Sequence, residues 1–156
     1  MAAVVMPIVN AVCDVLAAVD YGITATVEAS LGDWDDALTD RGQLRIDVLA
    51  PTDPPMELLD SAQIRYEVSV DIIIRKRFET TDRAIQNGRL LAEAAEPLVA
   101  VVEQVAETCV QDRFAVSDAA WQETTIQTLY EPAHIREYSQ FTGHVTVTFW
   151  AYKATS

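Results

Sequence analysis

The sequence predicts an α+β fold in which a mainly antiparallel sheet carries two helices on one face. Half of the residues are hydrophobic (50%). Apolar residues recur at helical spacing in two segments and alternate with polar residues in five others. The length of 156 residues suits one domain, 1–156, large enough to bury a core. The predicted order of elements is α-β-β-β-α-β-β.

The two helical segments are residues 6–19 and about 82–112. The first has Pro7 in its first turn, where proline is tolerated. The second follows Thr80 and Thr81, either of which suits an N-cap. Because Gly88 and Pro97 fall inside the second segment, a bend or break is predicted near one of them.

Alternation with a period of two predicts five strands. They cover residues 23–30, 44–49, 64–78, 124–132 and 141–154. The third is exceptional, because about fifteen residues span roughly 50 Å whereas ordinary strands have about five or six residues. Its even-numbered positions are apolar and predict a core face. Residues 50–63 include three prolines and are interpreted as a long excursion between strands.

Charge is strongly unbalanced, with 24 Asp and Glu against 11 Lys and Arg and a formal net charge of -13. Such a chain repels a phosphate backbone, which argues against general affinity for nucleic acid. No segment has the eighteen or more uncharged apolar residues of a membrane span, so no membrane partner is predicted.

The chain contains cysteine and histidine, which often act in catalysis, but no sequence motif of an active site surrounds them. The protein is therefore predicted not to be an enzyme. Cys13 and Cys109 lie in apolar helical patterns and are interpreted as buried free thiols. His134, in a predicted loop, and His144, on a polar strand face, are interpreted as solvated or hydrogen-bonded. No Gly-rich phosphate loop or nucleophile motif occurs. No catalytic residue, cofactor or metal ligand is predicted.

The acidic run Asp33, Asp35 and Asp36 was compared with the calcium-binding loop of EF-hands. Taking Asp33 as the first position puts Leu38 where the loop needs glycine and Leu44 where it needs glutamate. The match fails. The segment is therefore interpreted as a solvated acidic loop in which Trp34 is the anchoring aromatic side chain.

Five segments together resemble the tail-terminator (tail-completion) proteins of long-tailed bacteriophages, the group that includes the lambda terminator. The resemblance spans nearly the whole chain and lies in the order of the helices and strands and in their hydrophobic pattern. Its segments are the helix "MPIVNAVCDVLAAV", the strand "LRIDVLAP" before the Pro-rich stretch, the long strand "IRYEVSVDIIIRKRF", the helix "RLLAEAAEPLVAVVEQV" and the closing "YEPAHIREYSQFTGHVTVTFWAY".

The resemblance implies a structural virion protein of the tail or neck, made in the host cytoplasm. Proteins of this group form a hexameric ring that caps the tail tube, stops its polymerisation and joins the tail to the head. The implied partners are other copies of the chain, the tail-tube protein and the head–tail connector or stopper protein. DNA would pass through an acidic bore without specific binding. Two alternatives stay open: another neck component, such as an adaptor or stopper, and a cytosolic module that binds a small ligand.

Under this interpretation the functional residues form interfaces. The three cations at the end of the long strand are predicted to pair with acidic surface on a neighbouring subunit or the tail tube, for example the loop of residues 33–36. The alternative is a solvated strand end that discourages aggregation. The apolar residues of the Pro-rich segment are predicted to contact the tube. The predicted interface residues are Arg75, Lys76, Arg77, Asp33, Trp34, Asp35, Asp36, Met56, Leu58 and Leu59.

Overall fold

The computed structural model describes residues 3–112 and 114–155. Within these residues the helices are α1 (Val5–Ala17), α2 (Ala92–Gln111) and α3 (Pro132–Tyr138). The strands are β1 (Ala25–Ser30), β2 (Leu44–Leu49), β3 (Met56–Asp60), β4 (Gln63–Arg77), β5 (Ile85–Gln86), β6 (Arg89–Leu90), β7 (Ala119–Thr128) and β8 (Gln140–Ala154).

One sheet has the strand order β1-β2-β4-β8-β7, and β3 also pairs with β4. The β1–β2 pair is parallel, whereas β2–β4, β3–β4, β4–β8 and β7–β8 are antiparallel. The short strands β5 and β6 form a separate hairpin. The predicted α+β fold with a mainly antiparallel sheet is therefore confirmed.

The centre of the sheet is a long ribbon formed by β4 and β8. Each strand has 15 residues, and their register runs without a shift from the pair Gln63–Ala154 to the pair Arg77–Gln140. The alternation predicted for β4 is confirmed, because the even-numbered apolar side chains lie in the core. These core residues are Val68, Val70, Ile72 and Ile74.

Helices α1 and α2 pack on the core face of the sheet, α1 against β1 and β2 and α2 against β7 and β8. Gly143 of β8 allows α2 to come close: a Cβ atom at this position would lie 2.6 Å from Val102 Cγ2 of α2 and 3.2 Å from the carbonyl oxygen of Leu129. Glycine in a strand often marks such an approach. The short helix α3 contacts β8 and β6.

The prediction of one helix over residues 82–112 is wrong in its first part. Strands β5 and β6 occupy that part and pair as a hairpin. Asn87 and Gly88 form its turn, with φ angles of 54° and 73°. An Asn-Gly pair with both φ angles positive favours a two-residue hairpin turn, so the helix starts only at Ala92. Pro97 is accommodated inside α2.

Three further segments differ from the prediction. The fourth strand, predicted at residues 124–132, is β7, which begins earlier and ends at Thr128. The Pro-rich excursion contains β3, which pairs with residues 63–66 at the start of β4 and forms a hairpin with it. Residues 132–138 form α3, although Pro132 was predicted to end the fourth strand and His134 to lie in a loop. The N-cap of α3 is Glu131, whose side chain accepts a hydrogen bond from the Ala133 N–H, and Pro132 occupies the first turn. The sequence does not reveal it, because seven residues are too few for a helical period.

Candidate interaction surfaces

The face of the sheet opposite α1 and α2 is covered by the connection between β1 and β2, residues 31–43, here called the cover loop. Trp34 lies over this face, its ring centroid 5.1 Å from that of His144 and 6.2 Å from that of His134. Leu38 is buried, and its N–H donates to Gln140 Oε1 at 2.7 Å. The predicted anchoring role of Trp34 fits this position.

Arg75 holds the cover loop to the sheet and is only 8% exposed. Its Nη2 donates to Asp47 Oδ2 on β2 at 2.7 Å. Its Nη1 donates to Asp36 Oδ1 at 3.1 Å and to the Trp34 carbonyl at 3.4 Å. The Nε–H has no hydrogen-bond partner among the described residues. Arg75 is thus the centre of a charged cluster inside its own chain.

Asp47 receives a second guanidinium, that of Arg45, with Nη2 to Oδ1 at 3.2 Å. The same Nη2 donates to Glu28 on β1 at 2.9 Å. Burial on its own would lower the pKa of Arg45, but the hydrogen bonds and charges of Asp47 and Glu28 outweigh it and raise that pKa. The cluster therefore joins β1, β2, β4 and the cover loop.

Of the other two cations, only Arg77 differs from the prediction; the interface role of Lys76 stays a prediction. Arg77 donates from Nε to the Tyr138 carbonyl at 3.1 Å and from Nη1 to the Leu38 carbonyl at 2.9 Å. Lys76 points to the other face, with Nζ 5.3 Å from the ring centroid of Phe78. The prediction is therefore corrected for Arg75 and Arg77: their guanidinium groups bind the cover loop and α3 of the same chain. The acidic loop is the predicted partner of Arg75, but it belongs to the same chain.

His134 of α3 is buried beneath the cover loop. Its Nδ1 lies 2.7 Å from Thr142 Oγ1 and its Nε2 lies 3.0 Å from Asp35 Oδ1. Asp35 is thus bound within the chain, whereas Asp33 is exposed and its Oδ1 accepts the Trp34 N–H at 2.7 Å. The hydrogen-bonded interpretation of His134 agrees with this geometry.

His144 and Asp71 form a second pair across the ribbon, with Nε2 and Oδ1 2.7 Å apart. Thr146 Oγ1 also donates to Asp71 Oδ1, at 3.0 Å. Burial on its own would raise the pKa of Asp71, but the hydrogen bond and charge of His144, with the bond from Thr146, lower it. In the part of the chain that the structure describes, no group of three or more His, Cys, Asp and Glu side chains is placed to hold a metal ion.

Both cysteines are free thiols, Cys109 buried and Cys13 half-buried. Burial, and to a smaller extent the charge of Asp112, raises the pKa of Cys109 to about 12. Burial also raises the pKa of Cys13. Neither thiol therefore has the lowered pKa of a reactive cysteine.

The ribbon extends past the rest of the sheet at the start of β4. Strand β2 pairs only with residues 71–76 of β4, and β7 reaches no further along β8 than residue 151. Residues 63–67 of β4, residues 150–154 of β8 and all of β3 therefore form a projection, here called the arm, which β7 flanks only at its base. On the face of the arm opposite Ile64 and Tyr66, Arg65 lies over the Trp150 ring, 4.3 Å from the centroid. Arg65 also forms a salt bridge with Glu57 of β3. These contacts hold β3 in the arm.

The arm carries the apolar face of the sheet into solvent. Met56 lies opposite Tyr66 and Leu58 opposite Ile64, so all four share the face that the helices cover elsewhere. Met56 is 67% exposed and Leu58 is 64% exposed. Leu59, beside a register shift in β3, is also exposed. The predicted absence of a core role for Met56, Leu58 and Leu59 is therefore confirmed.

A groove of about 770 Å³ lies at the opposite end of the ribbon, and we call it the end groove. It is bounded by the β5–β6 hairpin, the first half of α2 and the start of α3. Its wall includes the exposed apolar residues Leu129 and Tyr130. The charged residues that line it are Arg89 and Arg136. This groove was not predicted from the sequence, although the Asn-Gly pair of the hairpin turn was the available signal.

The chain was compared with family models and with curated proteins. No family model matches it, and no curated protein matches it significantly. Among the described residues, no helix is both long and apolar enough to span a membrane.

Proposed function

We propose that this protein is a tail-terminator-like component of a bacteriophage tail. Copies of it form a closed ring, hexameric by resemblance to the group, that caps the tail tube and stops its polymerisation. The same ring presents a surface to the head connector. The observation that carries the proposal is the arm, an extension of the central ribbon whose apolar face the chain itself leaves uncovered.

The exposed apolar side chains of the arm are unfavourable for a protein that functions as a single chain in water. Met56 and Leu58 are large apolar side chains exposed on one face of the arm, and half-buried Ile64 and Tyr66 continue the same surface; Leu59 is exposed beside the register shift. Contiguous exposed apolar patches of this kind mark contact sites between proteins. Each such side chain gains about 1.5–3 kcal/mol on full burial, so an assembly that covers the arm is favoured.

The net negative charge of the chain supports the proposal of a ring through which DNA passes without binding. With 24 acidic and 11 basic residues, a ring of these chains repels the phosphate backbone. Arg75 and Arg77 are bound inside the chain and Arg45 and Arg65 pair with carboxylates, which further reduces the positive surface. We expect no retardation of double-stranded DNA by the purified protein at low salt, where phosphate attraction is strongest.

The deciding experiment measures tail-tube length by electron microscopy while purified tube protein polymerises with or without this protein. We expect short, uniform tubes with protein at one end, and no shortening with the Leu58→Ser/Leu59→Ser variant. The control is Leu31→Ser, which removes an exposed leucine from the cover loop. Unchanged tube length with wild-type protein would refute a terminator. Binding to portal-associated rings in that case would identify the adaptor alternative.

A further inference from the structure

We infer that the arm of one copy binds in the end groove of the next copy, so that the chains join head to tail. This inference rests on the proposed ring and specifies its subunit contact. It replaces Arg75 and Arg77, whose guanidinium groups are bound within the chain, with a different pair of surfaces. It also assigns Met56 and Leu58 to the contact between subunits instead of the predicted contact with the tube.

The positions of the two surfaces require a second chain. The arm contains Gln63 and Ala154, whereas the end groove lies beside Gln140 and Arg77, at the other end of the same register. Fifteen residues of strand separate them by roughly 50 Å, so an arm cannot reach the groove of its own chain. Two different surfaces in contact make a heterologous interface, which generates a ring when the rotation between copies closes.

Charge complementarity selects the end groove as the partner of the arm. The tip of the arm, residues 56–64, contains the acidic residues Asp60 and Glu57, of which Glu57 is paired with Arg65 of the same arm. The end groove contains Arg89 and Arg136 and no carboxylate. Among the described residues, neither arginine lies within salt-bridge distance of a carboxylate. Between copies that each carry a net charge of -13, contact is favoured where such cations meet acidic residues.

The apolar parts also match. Met56 and Leu58 need cover, and Tyr130 and Leu129 provide an exposed apolar wall. The groove volume of about 770 Å³ lies in the range of pockets that enclose most of a bound group. Insertion would therefore bury apolar side chains of the arm against the apolar wall of the groove.

Cysteine cross-linking tests the contact directly. A chain carrying Leu58→Cys and Tyr130→Cys in a Cys13→Ser background should give, under mild oxidation, a ladder of covalent oligomers on a non-reducing gel. The disulfide needs Cα atoms about 4.4–6.8 Å apart, which the two sites cannot reach within one chain. Leu31→Cys with Tyr130→Cys is the matched control and should stay mostly monomeric. Cys109 is buried and should not contribute.

A charge swap tests the electrostatic part. Asp60→Arg and Arg136→Asp should each weaken association about tenfold at 0.05 M salt, measured by light scattering on a size-exclusion column. The double variant should recover most of the loss. Melting temperatures measured in parallel show whether each variant is folded. Folded variants whose effects simply add would overturn the inference.

The outcomes separate the inference from the proposed function. Rings that cap tubes but give no Leu58–Tyr130 ladder would overturn the inference and leave the function standing. A ladder with unchanged tube length would support the contact and refute the terminator. A strictly monomeric protein whose groove binds a small apolar molecule would overturn both.

Discussion

Replacing Arg75 with methionine is expected to lower the free energy of unfolding by about 3–4 kcal/mol. The substitution keeps much of the apolar volume but removes the guanidinium that holds Asp47 on β2 and Asp36 in the cover loop. It tests whether this cation stabilises the single chain.

The two ion pairs of Arg75, with Asp47 and with Asp36, contribute unequally to the free energy of unfolding. The Asp47 side chain is 7% exposed and would be left buried with one fewer partner, which typically costs about 3–5 kcal/mol. Arg45 remains within 3.2 Å of Asp47, so the lower end of that range applies. The Asp36 side chain is 76% exposed, so its ion pair contributes at most about 1 kcal/mol.

Urea denaturation of three variants measures the contributions of these two ion pairs to the free energy of unfolding. The Arg75→Met/Asp47→Leu variant, which removes both buried charges, should lie within about 1.5 kcal/mol of wild type, because a buried ion pair replaced by apolar groups is often neutral. Asp36→Asn should cost less than about 1 kcal/mol. If Arg75→Met alone costs under 1 kcal/mol with an unchanged denaturant slope, the cation is not structurally engaged and the reasoning fails.

Three further outcomes can be measured on the single chain. Gly143→Ala should destabilise it by about 1–3 kcal/mol through the close approach to α2, and Val102→Ala should partly relieve that penalty in a double-mutant cycle; purely additive effects would contradict the packing argument. Val70→Asp should cost several kcal/mol while Ser69→Asp, on the other face, costs about 1 kcal/mol or less, and equal melting temperatures would mean that the register of β4 is wrong. Asp71 has a lowered pKa in the folded state, so its ionised form stabilises the fold. This stabilisation is fully present above the unfolded pKa of about 4 and is lost as pH falls through the folded pKa. Asp71→Asn should therefore reduce the fall in stability between about pH 5 and pH 2, and an identical fall in both proteins would show that another group is responsible.

Period-two alternation predicted the sheet well because it records burial on one face. The even-numbered positions of β4, such as Val70 and Ile72, are buried as predicted. The odd-numbered face was predicted to be polar, yet Ile73 and Arg75 on that face are also buried. Their cover is the cover loop, which lies about forty residues away in sequence, and local patterning does not report such a contact.

The predicted interface residues show the same limit. Exposure of Met56 and Leu58 followed from their place in a Pro-rich segment without alternation, although the pairing of β3 with β4 was not visible there. A run of cations looks free when read alone, but Arg77 is bound to carbonyl groups of Leu38 and Tyr138. Which hydrogen-bond acceptors surround a charge depends on the tertiary fold.

The long β4–β8 ribbon has a consequence for how the chain is made. Ser69 and Thr148 hydrogen-bond across it although they are 79 residues apart in sequence. Non-local pairing of this kind slows folding, because the intervening chain must be closed into a loop before the contacts form. During synthesis β4 leaves the ribosome long before β8, and one of its edges then lacks a partner. That interval is when the nascent chain is most exposed to aggregation, so slow or interrupted translation past β7 should lower the soluble yield more than a comparable delay before β4.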